Sequence, residues 1–180
     1  MTARGTDGRA LIQMSILQER LLAVAEDVGH LLIRGAFSSN IKERRDCSTA
    51  VFDLRGRLVA QADHMPIHIG SLLWGVRAVL ERYPLPRIAE GDAFVMNDPY
   101  LAGGTHLPDI SVITPVFVAG GLRYFIGNIA HHADVGGPVP GSVSGASPTI
   151  FSEGIRLPPI RIARAGVPDD DLINLIAQNT

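Results

Sequence analysis

Residues 110–118 and 122–130 are two β-prone runs, rich in Val, Ile, Phe and Tyr, with Gly120-Gly121 between them. Two such runs joined by so short a glycine turn predict a tight antiparallel hairpin. A hairpin of this kind returns the chain to where it began, so the residues before its first strand lie beside those after its second. Here both flanks carry chemistry. Asn97-Asp98-Pro99-Tyr100-Leu101-Ala102-Gly103-Gly104-Thr105-His106-Leu107-Pro108-Asp109 leads in, and Ala130-His131-His132-Ala133-Asp134-Val135-Gly136-Gly137 leads out. The two flanks share a His-x-x-Asp core, His106 with Asp109 and His131 with Asp134.

Imidazole and carboxylate are the donors that Mn²⁺, Fe²⁺ and Zn²⁺ accept, and two histidines with one carboxylate leave positions open for water and substrate. A second reading stands beside it: the same residues could be hydrogen-bonding loop groups that cap strand ends. His131 and His132 are adjacent, so along a continuing strand they point to opposite faces and only one of them contacts a shared cation. The other is left to face substrate, to lie one shell further out, or to sit on the surface.

The rest of the chain supplies the frame. From Ala10 to Phe37, Met14, Leu17, Leu21, Val24, Val28, Leu31 and Leu32 recur at three- and four-residue steps, which predicts one amphipathic helix. At ~1.5 Å per residue it is about 40 Å long. A β-hairpin follows, residues 48–53 and 57–61 around a turn containing Gly56. Residues 69–83 read as a second helix stopped by Pro84 and Pro86, and residues 93–96 as a further strand. Residues 134–159, rich in Gly, Pro and Ser, read as a long functional or mobile loop. Pro168-Asp169-Asp170-Asp171 reads as the capped, acidic start of a last helix that runs to Thr180 without a stop signal, as expected of a truncated chain. The expected class is α+β: a long N-terminal helix packed on a mostly antiparallel sheet.

Composition narrows the function classes. The 180 residues carry 16 basic and 18 acidic side chains for a net charge of -2, a balance that argues against nucleic acid or an anionic membrane as the main partner. Apolar residues make up 46% of the chain, enough for a real core. Cys47 is the only cysteine, so an intramolecular disulfide is impossible and a thiolate zinc site is disfavoured. The polar N-terminus does not read as a signal peptide, and no apolar run reaches the roughly 20 residues needed to cross a bilayer. A cytoplasmic protein is expected. Gly136-Gly137-Pro138-Val139-Pro140-Gly141-Ser142 lacks the Gly-Lys-Ser/Thr ending of a phosphate-binding loop, so the chain shows no nucleotide site of its own.

Two more clusters are candidates. Asp63-His64-Met65-Pro66-Ile67-His68-Ile69-Gly70-Ser71 places His64 and His68 just ahead of the second helix, with Gly70 or Ser71 at a helix start whose free N–H groups favour anions. There His64 or His68 binds a substrate carboxylate or carbonyl oxygen, or else the segment merely caps the helix. Asp46-Cys47-Ser48 precedes the first strand. Asp46 could bring a further oxygen ligand from another loop, while Cys47, without an activating base nearby, reads as a small buried thiol. His30 reads as a core-edge residue.

These motifs together resemble the hydantoinase B/oxoprolinase family, with its hydantoinase, 5-oxoprolinase and acetone/acetophenone carboxylase branches. The matching pieces run in family order: Asp46-Cys47-Ser48, His64-x-Pro66-x-His68-x-Gly70-Ser71, Gly91-Asp92, Asn97-Asp98-Pro99-Tyr100, Gly103-Gly104-Thr105-His106-x-Pro108-Asp109 and His131-His132-Ala133-Asp134-Val135-Gly136-Gly137. The resemblance implies an N-terminal, metal-bearing portion of a much longer B-type subunit that works in a hetero-oligomer with an A-type subunit. That partner binds ATP and phosphorylates the substrate's carbonyl oxygen. The B-type subunit then completes ring opening of a cyclic amide or, in the carboxylase branch, carboxylation of a ketone at a divalent metal (Mn, Fe or Zn). Carried over residue by residue, the resemblance makes Asp46, His106, Asp109 and His131 the metal ligands, with His131 preferred to His132. His106, Asp109 and His131 are then the catalytic residues, and His64, His68 and His132 the substrate contacts.

Overall fold

The three- and four-residue apolar spacing near the N-terminus forms α1, Gly8–Gly35. The computed structural model of the chain describes residues 8–62 and 65–180. His64 and the polar residues at the start of the chain fall outside the described residues. Only part of the α1 stripe is spent inward. Ala25 and Gly29 are buried, and Leu21 packs with Ala25 against Val51, Ala60, Ala62, Tyr124 and Ile126. Leu11, Ile12, Met14, Ile16 and Leu17 stay exposed. Thr49 ties helix to sheet by donating its hydroxyl to the Ala25 carbonyl at 2.6 Å.

A four-residue helix, α2 (Ser39–Lys42), leads into β1 (Cys47–Phe52) and β2 (Leu58–Gln61). Then come α3 (Pro66–Arg82), β3 (Ala93–Met96), the one-turn α4 (Pro99–Ala102), β4 (Asp109–Val118) and β5 (Gly121–His131). β6 (Ile160–Arg164), β7 (Val167–Pro168) and α5 (Asp170–Ala177) complete the order. The strands form one seven-stranded sheet in the order β2-β1-β5-β4-β3-β6-β7, and each neighbouring pair is antiparallel. The α+β class expected from the sequence is the class observed.

Both faces of the sheet are covered, which is why β1 is buried along its whole length. On one face α3 lays Leu72, Val76 and Val79 over Ala50, Phe52, Phe94, Met96, Ile113, Phe125 and Ile129. Gly127 lets the helix come this close: a Cβ there would meet Ile113, Leu72 and Phe52 at 3.0–3.2 Å. On the other face α1 covers β1, β2 and β5, while Val135, Leu157, Ile150, Ile155 and Ile176 cover Val95, Ile110 and Val112. The stretch expected to be a long loop thus supplies one wall of the core.

Three local expectations are corrected. The β4–β5 turn falls on Ala119 and Gly120, both at positive φ (51° and 76°), and Gly121 already belongs to β5. β6 and β7, unassigned in the sequence, extend the sheet past β3. Finally, α3 begins at Pro66, three residues before the expected start. Proline at the first helical position has its φ preset and no N–H to lose. Gly70 and Ser71 therefore lie inside the helix rather than at its open end, and the anion-binding helix start expected of them does not form. The N-cap is Met65, without a side-chain cap.

Candidate metal centre

Sheet register assembles the site. Asp109 opens β4, His131 closes β5, and the two are cross-strand partners. On the other side of β5, Cys47 pairs with Ala130, and the His131 amide donates to the Asp46 carbonyl at 3.0 Å. Three neighbouring strands therefore end together, with Asp46, His131 and Asp109 at those ends. His106 arrives from the loop ahead of β4.

That loop is held by residues other than the donors. The buried Asn97 donates its amide to the Leu107 carbonyl at 2.8 Å and the Ile155 carbonyl at 2.9 Å, and accepts from the Leu157 amide at 2.7 Å. Asp98 caps α4 by accepting from the Tyr100 and Leu101 amides and pairs with Arg156. Gly103 ends α4 in the left-handed conformation (φ 69°), where a Cβ would lie 2.3 Å from Trp74 Cβ. Asp98 is thus scaffolding rather than chemistry. The signal for this was present in the sequence as Asp98-Pro99, a carboxylate ahead of a proline at the first helical position.

The donor atoms themselves form a near-equilateral triangle. His106 Nε2 and His131 Nδ1 each lie 3.0 Å from Asp109 Oδ1, and the two nitrogens lie 3.2 Å apart. Two ligands about 2.1 Å from one cation are about 3.0 Å apart at a right angle and about 3.4 Å apart at the tetrahedral angle. The triangle has the size of one face of a coordination sphere. Two neutral imidazoles and a carboxylate are also the donor set that Mn, Fe and Zn accept, so the residues fit the ion that the sequence motifs imply. The three carry ligand atoms all within 4.8 Å of one another.

Asp109 is buried and its second oxygen, Oδ2, accepts from the Thr105 hydroxyl. Burial by itself pushes this carboxyl up. The hydrogen bonds from His106, Thr105 and His131, with the His106 charge, outweigh burial and hold it at about 2. The hydrogen bond to Asp109 raises His106 above its ordinary value, with burial opposing. Cys47 is fully buried. Desolvation, then the neighbouring Asp46 carboxylate, pushes its thiol up, in keeping with an inert buried thiol.

The site opens into a cavity of about 340 Å³ whose lining includes Asp46, Met65, Ile67 and His68 besides the triangle. Asp46 faces His68, its Oδ1 3.6 Å from Nε2, and it stands outside the compact triangle. His68, in the first turn of α3, is 2% exposed, and its Nε2 is 3.7 Å from Asp109 Oδ2. Its Nδ1 meets the Ser48 hydroxyl at 3.2 Å. His132 is half-buried and outside the triangle, its amide bound to the Pro108 carbonyl at 2.8 Å. Burial first, then the nearby His131, lowers its pKa. Asp134, the second His-x-x-Asp carboxylate, turns away into its own loop. It accepts from the Gly136 and Gly141 amides and the Ser142 hydroxyl. Sequence reasoning missed Ser48 and Thr105. Each is one small hydroxyl beside a donor, a pattern without a spacing signature.

A covered antiparallel sheet with a two-histidine, one-carboxylate cluster at one end defines a class: an α+β protein with a candidate cation site built on strand ends. Within that class the chain belongs to the Hydantoinase B/oxoprolinase family, whose profile matches residues 10–180. Over 167 residues it is 42% identical to 5-oxoprolinase 1 of Arabidopsis thaliana, covering 92% of this chain and 13% of that protein. It is 32% identical over 168 residues to caprolactamase subunit beta of Pseudomonas jessenii, covering 93% and 29%. Among solved structures it is similar to the ATP-dependent caprolactamase of Pseudomonas jessenii, with TM-score 0.80 and 30% identity over 96% of this chain and 29% of the other. An acetone carboxylase in its nucleotide-free form shares the fold, with TM-score 0.82 and 22% identity over 94% and 22% of the two chains. The chain thus spans under a third of each of these proteins. Among the described residues, no helix is long and apolar enough to cross a membrane.

Proposed function

We propose that this chain is the metal-bearing part of a B-type subunit in an ATP-dependent cyclic amide hydrolase, completing the ring opening of a carbonyl-phosphorylated substrate. The observation that carries this reading is the 3.0–3.2 Å triangle of His106, Asp109 and His131 at the mouth of an open cavity, in a chain similar to 5-oxoprolinases and to a caprolactamase subunit. Asp46 completes the ligand set from the end of β1. When bound, a divalent cation supplies Lewis acidity toward a carbonyl or phosphoryl oxygen and makes a nearby water more acidic.

The chain's own residues do the rest. Asp109, charged throughout the neutral range, fixes both imidazoles with one oxygen. Thr105 occupies the other oxygen and keeps the carboxylate from rotating. His106 is the most exposed of the three, its side chain at 37%. His132 and His64 contact substrate. ATP is consumed by an A-type partner subunit, a reading supported by the likeness to an ATP-dependent caprolactamase. A cytoplasmic setting suits ATP use and a free Cys47.

The test is reconstitution. The chain, within its full-length subunit and with the A-type partner, is assayed with ATP against 5-oxoproline, hydantoins and lactams, and separately against ketones with bicarbonate. ATP-coupled ring opening that is lost in His106→Ala supports the reading. ATP turnover only with a ketone and bicarbonate assigns the carboxylase branch. A chain that binds its partner but holds no divalent ion, and in which His106→Ala changes nothing, is a non-catalytic binding module.

A further inference from the structure

We infer that α1 pairs with the α1 of a second copy of this chain as an antiparallel coiled coil. The helix carries two apolar stripes, and the sheet uses one of them. Ala25 and Gly29 are buried, and Leu21, Leu32 and Ile33 pack inward beside them. The other stripe is Ala10, Met14, Leu17, Leu21, Val24, Val28 and Leu31. Its steps alternate between three and four residues with no polar interruption, the a/d seam of a coiled coil, with Met14, Leu21 and Val28 at a. Met14 is 67% exposed, Leu17 50%, Val24 42% and Leu31 61%, while Leu21 and Val28 are half-buried. Single exposed apolar side chains are ordinary surface, but a run of seven at this period is not. Residues 8–20 are exposed throughout, so the first half of the helix lies clear of the sheet.

Charge selects both the occupant and its direction. The positions just before each a residue, the g positions, are Gln13, Arg20, Asp27 and Arg34. In an antiparallel pair g faces g and e faces e, whereas in a parallel pair g faces e. Antiparallel packing of two copies sets Met14 against the second copy's Leu31, Leu17 against its Val28, and Leu21 against its Val24. The same alignment brings Arg20 against the second copy's Asp27, and two-fold symmetry makes that ion pair twice. Leu11 then lies beside the second copy's Leu32. A parallel pair instead sets Arg20 against Ala25 and Asp27 against Leu32, with no charge answered. Neither Arg20 nor Asp27 has a Lys, Arg, Asp or Glu three or four residues away on its own helix. None of the ion pairs among the described residues uses either of them. In this arrangement the free first half of each helix lies along the sheet-bound half of the other.

The test is sedimentation velocity of the 180-residue chain and its charge variants over a concentration series. A dimer is expected. Arg20→Asp and Asp27→Arg, each alone, should raise its dissociation constant at least about tenfold, because each change acts at both symmetric pairs. The double variant R20D/D27R exchanges the charges and should return the constant to within about threefold of the parent. Both side chains are exposed, and recovery in the double variant separates a restored interface from a damaged fold. A chain that stays monomeric up to about 100 µM overturns the inference and leaves the stripe to a different partner. A dimer that ignores both charges, or in which the double variant is no tighter than the single ones, overturns it too and assigns the dimer to another face or to a parallel pair.

Discussion

Asp109 and Asp134 stand at the same place in two copies of His-x-x-Asp, and only their surroundings separate them. Asp109 is buried against two imidazoles and a hydroxyl; Asp134 ties a glycine turn. Metal titration should find Asp109→Asn weaker by at least about tenfold and Asp134→Asn by less than about threefold, and equal losses contradict the assignment. The protonation of His106 sets the pH dependence. Its pKa is raised above the ordinary 6.5, first by the hydrogen bond to Asp109. A raised value contributes stability below the unfolded pKa and loses it as pH rises through the folded one. Metal binding needs the neutral ring and displaces that proton. The gain in Tm on adding Mn²⁺ should therefore grow from about pH 6 to about pH 8, as followed by scanning calorimetry. A gain that shrinks over this range contradicts His106 as a ligand. His106, Asp109 and His131 were visible as a pattern because residue type and hairpin geometry point to the same spot. The contact of His68 with Ser48 was invisible, since the two come from separate elements.

The elements show how a loop becomes precise. Asn97 spends three hydrogen bonds on two loops, one at Leu107 beside His106 and two at Ile155 and Leu157. Asn97→Ala strands two buried carbonyls and an amide, and should cost about 2–4 kcal/mol in chemical denaturation while also weakening metal binding. Unchanged affinity would mean that the loop does not aim His106. Gly103→Ala should cost at least about 1–2 kcal/mol from its left-handed backbone alone, more because its Cβ overlaps Trp74, and a neutral result would contradict the close approach of α3 to α4. The strong periodicities of α1, α3 and β4–β5 made these elements legible. The start of α3 is not legible, because a proline such as Pro66 marks a turn as readily as the first position of a helix. β6 was missed because its five residues sit between Pro159 and the turn at Gly166, too short for alternation to stand out.

At the scale of the molecule, the sheet order brings β1, β5 and β4 to one end, and that adjacency makes a site from residues as far apart in sequence as Asp46 and His131. The hairpin half of this arrangement follows from two β-prone runs joined by a short glycine-containing turn; the β1–β5 pairing is non-local and carries no short-range signal. The helix across the sheet was also legible, but not how little of its apolar stripe would be buried: Leu11, Ile12, Met14 and Leu17 stay exposed in a chain that spans 29% of the caprolactamase subunit it resembles. The central claim is that imidazoles and a carboxylate from separate strand ends share one cation. Crystals of the chain soaked in Mn²⁺, with diffraction collected at the manganese absorption edge, test it most directly. The account predicts one anomalous peak about 2.1–2.3 Å from His106 Nε2, Asp109 Oδ1 and His131 Nδ1; a peak elsewhere, or none at that position, contradicts it.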